Sequence, residues 1–170
     1  KLAISLPTTM SGGGISTVYA MPSWQQGVSM TANQGSTTMR NSPDVSMVAN
    51  NITVTWGNDY EDGLIGSFDL PEGGTSLAAP LWAGFMALVN QQAAANGQPP
   101  IGFVNPDLYA IGKSSSYRSC FNDITTGSNT NSLSPTKYHA VAGYDLCTGW
   151  GTMIGSNLMS ALLDRPVDQL

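Results

Sequence analysis

A glycine pair that leads directly into a long helical pattern is the feature that most constrains how this chain of 170 residues can fold. Gly73 and Gly74 can adopt main-chain angles that other residues avoid. A helix is predicted over 77–92, with apolar residues at helical spacing: Leu81, Phe85, Leu88 and Val89. Ser76 is thereby predicted at a helix N-terminus, where free N–H groups and the helix dipole favour negative charge. It is either an ordinary helix cap or a nucleophile whose own amide could help to bind an oxyanion.

The composition narrows the class of protein. A length of 170 residues with 41% hydrophobic residues predicts one globular domain over 1–170 with a sizeable core. The net charge is -5 and the sequence has no basic stripe, so a nucleic-acid partner is not expected. No run of about 18 apolar residues occurs, so no helix is expected to cross a membrane.

Patterns typical of strands and then of helices follow one another along the chain. Strands are predicted at 45–49, 51–56 and 64–68, and helices at 77–92, 107–111 and 155–163. Asn105, Pro106 and Asp107 have the order of a helix cap, a first-turn proline and a first-turn acid. This arrangement favours an α/β fold with a largely parallel sheet and flanking helices.

Two aspartates in polar loops form a second candidate site. Asp123 precedes one such loop, and Asp145 ends the glycine-bearing run 141–145. Carboxylates and main-chain carbonyls together suit a hard cation that needs six or more oxygens, whereas aspartates in turns more often cap the turn itself. Cys120 and Cys147 lie close to the two aspartates in sequence, and they could form one disulfide or remain buried thiols.

Several motifs resemble those of one protease family. The run Gly73–Pro80 and the following Leu81–Gly84 are similar to the nucleophile region of subtilisin-like proteases and of sedolisins, the serine-carboxyl peptidases. The sedolisins alone are matched by further motifs: Ser11–Gly14, Trp24-Gln25, Arg40, Pro43–Ser46, Asp123-Ile124, Gly143–Asp145 and Thr148–Thr152. The resemblance implies the C-terminal part of a sedolisin catalytic domain, with a subtilisin-like α/β fold that acts on peptides or proteins.

The resemblance also implies roles for particular residues. Ser76 matches the family's nucleophile. The ligands of one calcium ion would be the side chains of Asp123 and Asp145 and the carbonyls of Ile124, Val141 and Gly143. Val141 stands where relatives often have glycine. A disulfide between Cys120 and Cys147 would link the two calcium loops.

The family's other catalytic residues have no match in this sequence. Sedolisins use a Ser-Glu-Asp triad and an oxyanion-hole Asp, and most act in acid, because a carboxylate can accept the serine proton where imidazole is already protonated. The Glu and Asp lie at Glu-x-x-x-Asp spacing on one helix, and no such pair occurs here. The resemblance therefore implies a second, upstream polypeptide that carries them, and a secreted or lysosome-like acidic location.

Two other functions remain open from the sequence. A fragment of a subtilisin-like protease would use a histidine base, but His139 follows Ser76, whereas the catalytic histidine of subtilisins precedes the serine. His139 is therefore predicted to be a structural or surface residue. A noncatalytic, calcium-stabilised module would leave Ser76 chemically inert.

Overall fold

The computed structural model describes residues 12–59 and 65–164, with side chains described over 12–54 and 73–164. The strands are β1 Gly14–Ala20, β2 Met39–Ser42, β3 Ile52–Asp59, β4 Ile65–Glu72, β5 Phe121–Asn122 and β6 Thr152–Met153. The helices are α1 Thr75–Ala95, α2 Asn105–Gly112, α3 Tyr117–Cys120 and α4 Gly155–Leu163. Two sequence predictions, a strand start at Leu64 and a motif start at Ser11, fall outside the described residues.

The predicted helices are confirmed. α1 contains the whole predicted span 77–92, and α4 has the predicted bounds. Pro80 lies inside α1 without ending it. Because proline has no N–H, the carbonyl of Ser76 lacks its usual donor four residues on. None of the described helices is both long and apolar enough to span a bilayer.

The strands pair only with antiparallel neighbours in the described part of the chain. β3 and β4 form a hairpin whose register runs from Ile52 opposite Glu72 to Asp59 opposite Ile65. β1 pairs with β2, and β5 with β6. The chain is thus a mixed helix and strand structure, as expected, but a largely parallel sheet is not seen. Parallel neighbours require a crossover connection, and the predicted strand 45–49 has no ladder partner among the described residues.

The core lies between α1, α2, α4 and the loop before β6. α1 buries three residues spaced four apart, Phe85, Val89 and Ala93. The predicted apolar face of α1 is therefore only half correct, because Leu81 is 40% exposed and Leu88 is 56% exposed. A helix that is apolar on its outer face as well as its inner face is typical of a helix covered on both sides.

Candidate active site and cation site

Ser76 lies in the first turn of α1 and is exposed to solvent. Gly74 immediately before α1 has a φ of 127°, a conformation that side chains disfavour. The Gly74 N–H donates to the Ala49 carbonyl at 2.7 Å, and the Gly74 carbonyl accepts from Leu77 N–H at 3.0 Å. These bonds and the glycine conformation hold the turn in which the predicted nucleophile lies.

The N–H groups at the start of α1 are available to an anion. Within 12–59 and 65–164, no main-chain carbonyl accepts a hydrogen bond from the amide of Thr75 or Ser76. Such groups at a helix start favour negative charge. The described side chains supply no base to Ser76: no hydrogen bond joins its hydroxyl to a carboxylate or an imidazole. His139 is exposed and pairs through its main chain with Ser128, consistent with the predicted surface role.

Asp145, the first predicted cation ligand, is fully buried and held by main-chain donors. Its Oδ1 accepts the N–H groups of Cys147 at 2.9 Å and Thr148 at 2.7 Å, and the Thr148 hydroxyl at 3.1 Å. Its Oδ2 accepts Val141 N–H at 2.9 Å. Burial raises the pKa of Asp145, and these hydrogen bonds oppose that rise. These four donors therefore fix the orientation of the carboxylate.

Asp123, the second predicted ligand, is bound by the same loop. The Gly143 N–H donates to its Oδ1 at 3.2 Å and its Oδ2 at 3.1 Å. Since Val141 binds Asp145 and Gly143 binds Asp123, the loop 141–145 brings the two carboxylates together. In the described part of the chain, the carbonyls of Ile124, Val141 and Gly143 accept no hydrogen bond. Carboxylates and main-chain carbonyls without donors are the kinds of ligand that a hard cation takes, so the residue types present fit such an ion.

The charges around this loop also fit a cation. The one ion pair among the described residues, Arg40 with Asp44, lies elsewhere, so the buried Asp145 has no cationic side chain as its partner. The pKa of Tyr117 is raised by its burial and then by the negative charge of Asp123. Across the described side chains, His, Cys, Asp and Glu nowhere gather in a group of three. A cation at this loop would therefore depend on the main-chain carbonyls for most of its ligands.

The two cysteines do not form the expected disulfide. Both are free, and their exposed fractions are 2% for Cys120 and 3% for Cys147. The Cys120 thiol lies 3.8 Å from the Asn157 carbonyl in α4, whereas Cys147 belongs to the turn that binds Asp145. Burial raises the pKa of Cys147 to about 11. The thiols pack as small buried groups in different parts of the core.

Sequence analysis missed the network around Asp44. The Arg40 guanidinium donates to both oxygens of Asp44, at 2.7 and 2.6 Å. The Tyr109 hydroxyl adds a bond of 2.8 Å and the Asn105 amide one of 3.0 Å. Asn105 was expected to cap α2, but it is the first residue of that helix and its side chain binds Asp44 instead. The spacing of Arg40 and Asp44 was the only local signal of this network.

The chain is similar in sequence to several known proteins. No known family profile matches the chain. The chain is 37% identical over 155 residues to Kumamolisin from Bacillus sp. (strain MN-32), covering 90% of this chain and 25% of that protein. It is 32% identical over 154 residues to Tripeptidyl-peptidase 1 from Dictyostelium discoideum, covering 84% of this chain and 23% of that protein. It is 30% identical over 181 residues to Physarolisin from Physarum polycephalum, covering 98% of this chain and 30% of that protein.

These similarities extend over nearly the whole chain, including the serine turn and the aspartate loops described above. The chain belongs to the sedolisin family, and the resemblance predicted from its motifs is confirmed. It spans between 23% and 30% of the length of these three relatives.

Proposed function

We propose that this chain is the part of an acid serine-carboxyl peptidase that supplies the nucleophile Ser76 and a calcium site. The Glu and Asp of the triad and the oxyanion-hole Asp come from an upstream polypeptide. The observation that carries the proposal is that Ser76 is exposed in the first turn of α1. This helix begins directly after Gly74, which has a φ of 127°. The whole enzyme is proposed to act on peptides or proteins, as an endopeptidase or a tripeptidyl-peptidase.

The chemistry assigned to this chain is the attack step and binding of the oxyanion. The Ser76 hydroxyl adds to the peptide carbonyl as the carboxylate base removes its proton. The base then gives that proton to the amine nitrogen as the C–N bond breaks, and water hydrolyses the resulting acyl-enzyme. The N–H groups at the start of α1 lie where they can bind the carbonyl oxygen as it gains charge. The sequence has no Glu-x-x-x-Asp pair, which is why the proposal includes a second polypeptide that carries the base.

The outer face of α1 supports the presence of that polypeptide. Leu81 and Leu88 are 40% and 56% exposed, on a helix that also carries Ser76. Burying two leucines would favour association by about 1–3 kcal/mol each. The relatives are longer than this chain, and we propose that the additional sequence covers α1. We also propose that 45–49, which lacks a ladder partner in the described residues, joins a parallel sheet of subtilisin type.

Calcium is the cation we propose for the loop 141–145. The ligands would be the Asp123 and Asp145 carboxylates and the carbonyls of Ile124, Val141 and Gly143. When bound, the ion would neutralise two carboxylates and hold the loop to Asp123. We propose a secreted or lysosome-like acidic location for the enzyme. Because the chain has few charged residues, protonation of its carboxylates would cause little charge repulsion there.

Mixing this chain with its upstream polypeptide tests the proposal. We expect pepstatin-insensitive peptide hydrolysis below about pH 5, where a carboxylate base still functions. Ser76→Ala should abolish it. The matched control is Ser156→Ala, which removes an exposed serine from the same position of another helix, the second residue of α4. Activity that survives Ser76→Ala would refute the nucleophile assignment.

The pH profile separates the proposal from its alternatives. A subtilisin-like enzyme with a histidine base would lose activity below about pH 6, since imidazole is then protonated. A noncatalytic module would leave Ser76 unmodified by a peptide aldehyde or chloromethyl ketone, even with the upstream polypeptide present. Mass spectrometry of the Ser76 peptide distinguishes these outcomes.

A further inference from the structure

A segment outside the helices and strands connects the serine turn to the turn that follows the buried Asp145. Residues 44–49 run from Asp44, at the end of the Arg40 ion pair, to Ala49, beside the Gly73–Gly74 turn. Fully extended, the six residues span roughly 16 Å between their end Cα atoms. We call this segment the strut.

The first half of the strut is bound to the turn that follows Asp145. The Asp44 carbonyl accepts Trp150 N–H at 2.9 Å, and Ser46 N–H donates to the Gly151 carbonyl at 3.0 Å. Gly149 lies against the same carbonyl so closely that a Cβ there would be 2.2 Å from the Asp44 oxygen. No side chain can fit between this turn and the strut.

The second half of the strut is bound to the serine turn and to α1. The Ala49 carbonyl accepts Gly74 N–H at 2.7 Å. The Trp82 indole in α1 donates from Nε1 to the Ser46 carbonyl at 3.0 Å. Gly73 is also in close contact, because a Cβ there would be 3.2 Å from Asn50 Oδ1. Both the turn before Ser76 and the helix after it are therefore hydrogen-bonded to one segment.

The Asp44 side chain anchors the strut in the core. Its carboxylate binds Arg40 of β2 and both Asn105 and Tyr109 of α2, so two separate segments of the chain fix its position. The side chains of Arg40 and Asp44 are only 19% and 22% exposed. A charged pair this far from water, with further donors on the carboxylate, resists displacement.

We infer that Asp44 and Trp82 are positioning residues, which hold the Ser76 turn in a fixed place through the strut. Neither touches the reacting atoms. Asp44 sets the strut against the core and the Asp145 loop, while Trp82 fixes α1 on the strut. The catalytic consequence rests on the proposed function of Ser76, but the structural coupling does not.

Amide hydrogen exchange of the enzyme tests the coupling without requiring any activity. Trp82→Phe removes the indole donor but keeps an aromatic ring beside Phe85, whose ring is 5.8 Å from that of Trp82. The Gly74 amide should exchange about fivefold faster, as expected for losing one hydrogen bond. Asp44→Asn should give the same local effect. Exchange in α4 should not change in Trp82→Phe.

A matched control removes a comparable bond far from the strut. The Gln98 side chain donates from Nε2 to the Leu163 carbonyl at 3.0 Å, beyond the other end of α1. Gln98→Met should leave exchange at Gly74 unchanged. Unchanged exchange at Gly74 in Trp82→Phe would overturn the inference, as would an equal effect of Gln98→Met. Should Asp44→Asn fail to fold, the exchange rate of the Gly74 amide in the milder variant Trp82→Phe still tests the inference.

Kinetics of the assembled peptidase test the catalytic consequence. Trp82→Phe should lower kcat about fivefold and leave KM within about twofold, because a displaced serine affects the reaction more than substrate binding. A raised KM with unchanged kcat would contradict positioning of Ser76. If Ser76→Ala retains activity, the proposed function is wrong. The exchange rate of the Gly74 amide still tests the structural coupling, because that measurement does not depend on activity.

Discussion

The main chain of Gly112 lies directly against the indole of Trp150: a Cβ at position 112 would be 2.4 Å from Trp150 Cε2. Trp150 is 4% exposed and packs against the rings of Tyr109, Tyr117 and Tyr144, with centroid distances of 5.7, 5.2 and 5.4 Å. The absence of a side chain at the end of α2 thus makes room for the largest ring of the core.

Gly112→Ala is expected to destabilise the chain. The added methyl group must displace a ring that has close neighbours on several sides, which typically costs about 1–3 kcal/mol. Gly84→Ala is the matched control, since a Cβ there meets no atom within 4 Å and alanine favours helix by up to about 1 kcal/mol. Urea denaturation measures both. Equal stability of the two variants would contradict the packing described for Trp150.

Calcium is expected to stabilise the chain through Asp123 and Asp145. An ion that binds only the folded state at 100 times its Kd adds about 2.7 kcal/mol to the free energy of unfolding. Asp123→Asn should remove this gain, whereas Asp164→Asn, at an exposed site, should keep it. Thermal denaturation with calcium and with chelator measures the difference. A wild-type Tm that does not respond to calcium would exclude the site.

Both thiols should be unreactive in the native protein. The pKa of Cys147 is raised to about 11, so its thiol stays protonated at pH 8, and Cys120 is equally buried. Iodoacetamide at pH 8 should add no label to the folded chain and two labels after denaturation without reductant. Mass spectrometry counts the labels. If denatured protein takes up label only after reduction, the cysteines are paired and the free thiols described here are wrong.

The two faces of α1 should respond differently to truncation. Phe85→Ala removes a core side chain that is 8% exposed and should cost about 3–5 kcal/mol. Leu88→Ala, at a side chain 56% exposed, should change the stability of this chain by no more than about 0.5 kcal/mol. The same Leu88 variant should weaken binding of the upstream polypeptide, measured by titration calorimetry. Unaltered binding in a Leu81→Ala, Leu88→Ala double variant would show that this face is not the contact.

Local patterns predicted the helices and one strand well, but not the pairing of that strand with β4. α4 has the predicted bounds, and the alternating residues Ile52, Val54 and Trp56 lie within β3. These elements depend on spacing and on helix-ending residues, which are properties of short stretches of chain. The resemblance at Ser76 and around Asp145 likewise rests on short motifs, and the family assignment from them is confirmed.

Contacts between distant residues could not be read from such patterns. Leu88 and Val89 fit the helical periodicity equally well, and only the packing of α4 against one side of α1 separates them. The cysteines are close to the aspartates along the chain, yet the Cys120 thiol contacts the Asn157 carbonyl and the Cys147 thiol contacts the main chain of Asn129. A parallel sheet was expected because strands and helices follow one another, but strand direction depends on which strands become neighbours.

Helix positions, the serine turn and the family were encoded locally, because glycine conformation, helical spacing and short motifs need no distant partner. The network at Asp44, the shared loop of Asp123 and Asp145 and the exposed side of α1 arose only on folding. Each of these brings together groups from segments far apart in the chain, and burial from water is what gives their charges and hydrogen bonds their strength.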